Sequence, residues 1–180
     1  MAIQDVLTVF AVLALVVNAL TLVVLGGRVV RWRTGHTLGV VTAMQRRAGE
    51  LVALVSVGAT LGSLYLSEIG HLIPCRYCWF QRVAMYPVAL VSVIAVAKSD
   101  RNVRRYLLPG AAIGLAFSVW HYLLQVVPSL EDATACNLLN PCTVRYAWEF
   151  GFVSIPYMAG SVSLFILALL AGRHRASRIG

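Results

Sequence analysis

The chain has 180 residues, 59% of them apolar and 12% charged, where soluble domains run about 45–50% and about 25%. A mean hydropathy of +0.80 excludes a disordered chain, a disulfide-rich miniprotein and an ordinary soluble domain, because a soluble core of this size cannot hide that much apolar surface from water. The net charge of +8 would suit nucleic acid if the basic residues were clustered, but they lie scattered between apolar runs, and no nucleic-acid partner is expected.

Five stretches come close to the roughly 20 apolar residues that cross a bilayer: 5–27, 51–67, 83–97, 107–127 and 153–172. The first has an apolar run longer than a signal-peptide core of about 7–15 residues, and residues 1–4 carry no side-chain charge, so it reads as an uncleaved anchor. The third is short. Extending it back to Trp79 gives a run of about 28 Å at the helical rise and brings Arg82 to the membrane edge. The expectation is an all-α integral membrane protein with three parts: an extra first span and basic cytoplasmic loop over 1–50, a core over 51–172, and a basic tail over 173–180. Gly58 and Gly62, and Gly110 and Gly114, are spaced for close helix packing.

Orientation follows from the basic residues of the connections. Arg28, Arg31, Arg33, Arg46 and Arg47 lie between the first and second spans; Lys98, Arg101, Arg104 and Arg105 lie between the third and fourth; Arg173, Arg175 and Arg178 follow the fifth. The opposite side holds Arg76, Arg82 and Arg145 beside Asp5, Glu68, Glu131, Asp132 and Glu149. The basic side is therefore read as cytoplasmic, with the amino terminus outside and the carboxyl terminus inside.

All four cysteines then fall in the two outer loops, Cys75 and Cys78 in the first and Cys136 and Cys142 in the second. Disulfides persist outside the cytoplasmic membrane. Three readings compete: inert staples, a four-thiolate zinc site, and two exchanging dithiol pairs. Cys75-Arg-Tyr-Cys78 has the C-x-x-C spacing of redox centres and opens the third span, where the helix dipole and Arg82, one turn on, favour a thiolate. The wider spacing of Cys136 and Cys142 is a poor match to a zinc knuckle, so no metal site is expected. Haem attachment is disfavoured because Trp79, not His, follows Cys78. Ser118, His121 and Gln125 share one face of the fourth span, with His121 about 9 Å deep by helical rise. Ionisable groups at such depth are costly and mark function, against the plainer alternatives that Arg82 snorkels and His121 is a packed, hydrogen-bonded residue.

The run from Gly62 to Ile69, then Ile73-Pro-Cys-Arg-Tyr-Cys-Trp-Phe-Gln-Arg82 with Met85-Tyr-Pro87, resembles the disulfide bond formation family DsbB, especially its BdbC-like branch. His121-Tyr-Leu-Leu-Gln125, the second cysteine pair, and Trp148-Glu-Phe-Gly-Phe with Ile155-Pro156 follow in the same order. The resemblance covers 51–172 and leaves 1–50 unexplained. It implies a four-helix core in a bacterial cytoplasmic membrane, with one extra amino-terminal span. It further implies a thiol:quinone oxidoreductase that recharges a thioredoxin-like, DsbA-like thiol oxidase and passes two electrons to the quinone pool. The BdbC-like branch favours menaquinone over ubiquinone, and a monomer is expected. By position, the partner attacks the Cys136–Cys142 disulfide at Cys136, Cys142 then attacks Cys75, and Cys78 meets the quinone, with Arg82, His121, Gln125 and Gln81 as quinone-site candidates. The loop from 128 to 152 is expected to move between partner and membrane edge. Of the rivals, a vitamin K epoxide reductase-like protein places its loop pair before the C-x-x-C, the reverse of this order. An importer of reducing equivalents needs cysteines on the inner side, which this sequence lacks. A non-catalytic protein with structural disulfides predicts cysteines that do not turn over.

Overall fold

The computed structural model describes residues 3–100, 102–133, 136 and 141–171. Arg101, the residues 137–140 within the second cysteine loop, and the 173–180 tail with Arg173, Arg175 and Arg178 lie outside the described residues, as do the side chains of Glu131 and Asp132. The described residues form α1 (Ile3–Thr34), α2 (Gly39–Arg46), α3 (Ala48–Glu68), α4 (Arg76–Ala97), α5 (Arg104–Val126), a short 3-10 helix (Pro128–Ala133) and α6 (Ile155–Ala171). No strand occurs among them beyond an isolated bridge between Glu149 and Val153. Helices α1, α3, α4 and α5 are long and apolar enough to cross a membrane, and α6 is a shorter apolar helix of 17 residues.

The element boundaries correct the sequence reading at three places. Residues 28–50 are not a basic loop: α1 continues through Arg28, Arg31 and Arg33, and α2 fills most of the remainder. A backbone leaving the membrane satisfies its polar groups most simply by staying helical, and nothing before Gly35 breaks the helix. Gly35 does so at φ 73, with its N–H donating to the Arg31 carbonyl at 2.9 Å, a left-handed helix stop suited to glycine. Helix α4 starts at Arg76, three residues before Trp79. Cys75 caps it in an extended conformation, its sulfur accepting from the Cys78 N–H, so the cap itself is a redox-type residue. Helix α6 starts at Ile155 rather than Val153, because Val153 exchanges two backbone hydrogen bonds with Glu149 at 2.8 and 2.9 Å. Phe150 and Gly151 turn that corner at φ 53 and 79.

Helix α3 packs on α4, α4 on α5, α5 on α6, and α6 back on α3; α1 lies along α6. Between them Phe165, Leu169, Ile166, Leu107 and Val52 are fully or almost fully buried. The outward faces are apolar, with Leu22 and Leu54 70% exposed and Val83 69%, as lipid-facing helices require. Since lipid offers these side chains the same apolar surroundings, packing and polar contacts hold the helices together. A Cβ at Gly110 would lie 2.6 Å from Val88, one at Gly114 3.0 Å from Ser163, and one at Gly62 3.3 Å from Phe10 of α1, so these three glycines do permit close approach. Gly58 does not: it is exposed with nothing near it, because it faces away from α4 and α6.

Candidate active site

At one end of the molecule the turn before α4, the last turns of α5 and the segment carrying the second cysteine pair meet. Cys75 and Cys142 are buried against Leu124, and Cys78, Cys136, Tyr77 and Leu130 pack around them, so all four cysteines belong to one cluster. Cys136 and Cys142 form a disulfide, while Cys75 and Cys78 are free thiols with sulfurs 3.1 Å apart. Of the disulfide's two residues, Cys142 is 1% exposed and Cys136 is half-buried, so Cys136 is the one more open to an outside thiol.

His121, 2% exposed, joins the two pairs. Its Nε2 lies 3.4 Å from the Cys75 sulfur and 3.2 Å from the Cys142 carbonyl oxygen. Tyr77 stands beside the imidazole, ring centres 5.9 Å apart, and its hydroxyl accepts from Trp120 Nε1 at 3.0 Å. The Cys75 thiol, ahead of the α4 span, is lowered from the ordinary value of 9.0 to about 4. The hydrogen bond to Cys78 is the main cause, with His121 adding to it against the opposing effect of burial. A thiolate is the nucleophile in exchange, and in this geometry it resides on Cys75.

The other candidates fall on two sides of this cluster. Gln81, 6% exposed, donates to Ser118 Oγ at 3.0 Å and ties α4 to α5. Gln125 donates to the Val144 carbonyl at 2.9 Å, and the Arg145 guanidinium donates to the Gln125 carbonyl oxygen, so this end of α5 holds the chain leading away from Cys142. Arg82 turns to α3, donating to Ser63 Oγ at 3.0 Å and to the Ser63 carbonyl at 2.8 Å, with Trp79 beneath its guanidinium at 5.2 Å. Arg82 and His121 therefore share no hydrogen-bond partner: one faces α3 and the other the second cysteine pair. Two buried polar atoms at this end, Nδ1 of His121 and Oε1 of Gln125, have no hydrogen-bond partner among the described residues.

Sequence reasoning missed Leu124, Ser63 and Tyr77. Leu124 lies between the cysteine pairs but carries no chemistry a pattern could flag. Ser63 stands in the run from Gly62 without any mark of its role as acceptor for Arg82. Tyr77, inside the C-x-x-C, was the most accessible to reasoning, since an aromatic residue there must lie beside both sulfurs.

The family model "Disulfide bond formation protein DsbB" matches residues 45–173, which takes in α3 to α6 and leaves out α1. "Disulfide bond formation protein C" of Bacillus subtilis (strain 168) is 44% identical over 123 residues, 68% of this chain and 86% of the relative. "Probable disulfide formation protein C" of Halalkalibacterium halodurans is 45% identical over 125 residues, 68% and 90% of the two chains. A "Probable disulfide formation protein" of Coxiella burnetii (strain Dugway 5J108-111) is 39% identical over 114 residues, 63% and 78%. No solved structure matches the chain.

Proposed function

The chain belongs to the DsbB disulfide bond formation family, and from that premise we propose that it is a membrane thiol:quinone oxidoreductase that recharges an extracytoplasmic thioredoxin-like thiol oxidase. The observation that carries this reading is the single cluster of both cysteine pairs, joined through His121. Two inert staples have no need to be neighbours, and a relay does.

In the proposed cycle a partner thiolate attacks Cys136, the more open sulfur, and releases Cys142; the partner's second thiolate then attacks the mixed disulfide, displaces Cys136 as a thiolate, and the oxidised partner departs. The Cys142 thiolate attacks Cys75, re-forming Cys136–Cys142 through a second exchange and leaving Cys75 and Cys78 as the dithiol. Six sulfurs make two disulfides and two thiols before and after, and two electrons have moved from the partner to Cys75 and Cys78. The observed state, an oxidised second pair beside a reduced C-x-x-C, is the one this cycle passes through before quinone is reduced. A quinone supplies the sink, taking two electrons and two protons. Such a sink suits a partner near −120 mV, since every 30 mV of a two-electron couple is worth about 1.4 kcal/mol.

The residues present fit a quinone at this end. Cys78 is half-buried at the head of a lipid-facing helix, beside Trp79 at 54% exposure and Arg82, and the orphaned Nδ1 of His121 and Oε1 of Gln125 leave polar capacity unused. Arg82 supplies a fixed cation, more stabilising to an electron-rich reduced ring than to the oxidised one; Gln81 and Gln125 hold α4, α5 and the second loop in register. Menaquinone is the favoured acceptor. We place α3 to α6 as a four-helix membrane core with α1 as a fifth span, the cysteine loops outside a bacterial cytoplasmic membrane, and the chain as a monomer.

The test is anaerobic: purified protein, a reduced thioredoxin-like oxidase and a soluble menaquinone analogue, with quinone absorbance followed in time. The reading expects partner-dependent quinone reduction, and turnover absent with partner or without would return the cysteines to structural disulfides.

A further inference from the structure

Three metal-ligand atoms converge where α4 meets α5: the sulfurs of Cys75 and Cys78 and a ring nitrogen of His121, all within 4.8 Å of one another. We infer that the reduced Cys75–Cys78 pair and His121 form a binding site for a thiophilic divalent cation of the zinc type, and that the metal-bound protein is held out of disulfide exchange.

Distances favour this class of ion. Zinc bonds sulfur at about 2.3 Å and imidazole at about 2.0–2.1 Å, so a tetrahedron sets two sulfurs about 3.8 Å apart and a sulfur and a nitrogen about 3.5 Å apart. The sulfurs here are 3.1 Å apart and the Cys75 sulfur is 3.4 Å from His121 Nε2. The Cys75–His121 separation already suits such an ion, and side-chain adjustment of Cys78 within the 4.8 Å cluster would set the other two separations.

Charge and softness point the same way. Two thiolates cancel the charge of a divalent ion, so the complex is neutral and can remain buried against Leu124, which is 0% exposed. Thiolate and imidazole select zinc-like ions over calcium or magnesium, which require oxygen ligands. Metal binding through Nε2 exchanges its 3.2 Å contact with the Cys142 carbonyl oxygen for the ion. With Nε2 on the metal, the ring proton sits on Nδ1, which has no partner among the described residues. Lack of an outer partner weakens metal binding about 10–100-fold, so the site is exchangeable rather than structural.

Binding transfers no electrons. The two sulfurs give up their protons and donate one lone pair each to the metal; oxidation to the Cys75–Cys78 disulfide removes both thiolates and expels the ion. Metal and disulfide thus exclude one another, and a bound cation blocks the pair from accepting or passing electrons. The inference shares its cysteines with the relay but needs only their reduction, not a quinone or a partner.

The test uses the full chain in detergent, with Cys136→Ser and Cys142→Ser removing the second pair. Reduced protein, freed of reductant under argon, is titrated with Co²⁺. One ion per chain is expected, with sulfur-to-cobalt charge transfer, tetrahedral visible bands, and displacement by Zn²⁺. Oxidised protein should show none of these. His121→Ala should weaken binding by at least about tenfold, the smallest loss expected from disturbing a ligand's surroundings alone, and Cys78→Ser should abolish the tetrahedral spectrum. If His121→Ala does not fold, Cys78→Ser decides. The inference is overturned if reduced protein gives no charge-transfer band, if oxidised protein gives the same one, or if Cys78→Ser retains the parent spectrum. Quinone turnover measured on the native protein without metal succeeds or fails independently of these outcomes.

Discussion

The cysteine end of α4 and α5 and the first helix, α1, are built on opposite principles. At this end four cysteines, the His121 imidazole and two glutamines are gathered among apolar side chains, at a density of polar groups that membrane depth penalises unless they work. Helix α1 is apolar on nearly every side, packs through Leu7, Phe10 and Val24, and adds only a few polar anchors: Gln4 and Thr8 on Glu149, Asn18 on Tyr157, and Arg28 on the Ala168 carbonyl oxygen. The family match covers residues 45–173, so the first region lies within it and α1 lies outside it. Where the two meet, at Glu149, α1 braces the turn that leads from the second cysteine pair into α6. The difference teaches that polar atoms concentrate where chemistry is proposed and thin out where only docking is required.

The largest expected contrast between the regions is total. Cys78→Ser should abolish quinone reduction, whereas Cys136→Ser should block the partner while a small dithiol still reduces quinone through Cys75 and Cys78. Equal loss in both assays for both variants would argue against the order of transfer. Next in size is Arg82→Ala, expected to weaken quinone use by about 1.5–3 kcal/mol, about 10- to 150-fold, the scale of a charge-assisted hydrogen bond. Arg82→Lys should recover only part of this, because an ammonium lacks the planar fork that now reaches Ser63 twice. Exchange between Cys136–Cys142 and the partner should survive in both; slowing of both steps together would mark Arg82 as a brace between α3 and α4.

A third prediction concerns pH. The Cys75 thiol is lowered to about 4, partly by His121, so its thiolate absorbance in reduced protein should persist on acidification from pH 7 and fade only near pH 4. In His121→Ala the midpoint should move upward. A parent midpoint near 9 would show that the Cys75 environment is not as described. The smallest effect belongs to α1: Thr8→Val removes one hydrogen bond to Glu149 and should lower stability by about 0.5–1.5 kcal/mol, measured by thermal unfolding in detergent, with cysteine exchange intact.

Much of this contrast was legible before any coordinates. The long apolar runs disclose the helices because a membrane demands length and hydrophobicity of each span independently, and the C-x-x-C declares itself by spacing. The helical period likewise places Ser118, His121 and Gln125 on one face. Helix ends were less legible. Arg28 to Arg33 are charged, which reads as loop, although an arginine-bearing helix is stable outside the bilayer; Cys75 as a cap and the turn at Phe150 depend on backbone angles that no hydropathy pattern carries. Least legible was the partner of each polar group. His121 reaching Cys142, and Arg82 reaching Ser63, are contacts across segments 21 and 19 residues apart, fixed by packing between helices and not by any local period.

Adjacency of the two cysteine pairs as exchange partners is tested most directly by leaving one thiol on each side. In a Cys78→Ser, Cys136→Ser double variant only Cys75 and Cys142 remain, both buried against Leu124 and bridged through His121. Mild oxidation of the purified protein followed by peptide mass spectrometry without reduction should find Cys75 and Cys142 joined within one chain. Two persistent free thiols, or only disulfides between chains, would contradict the relay.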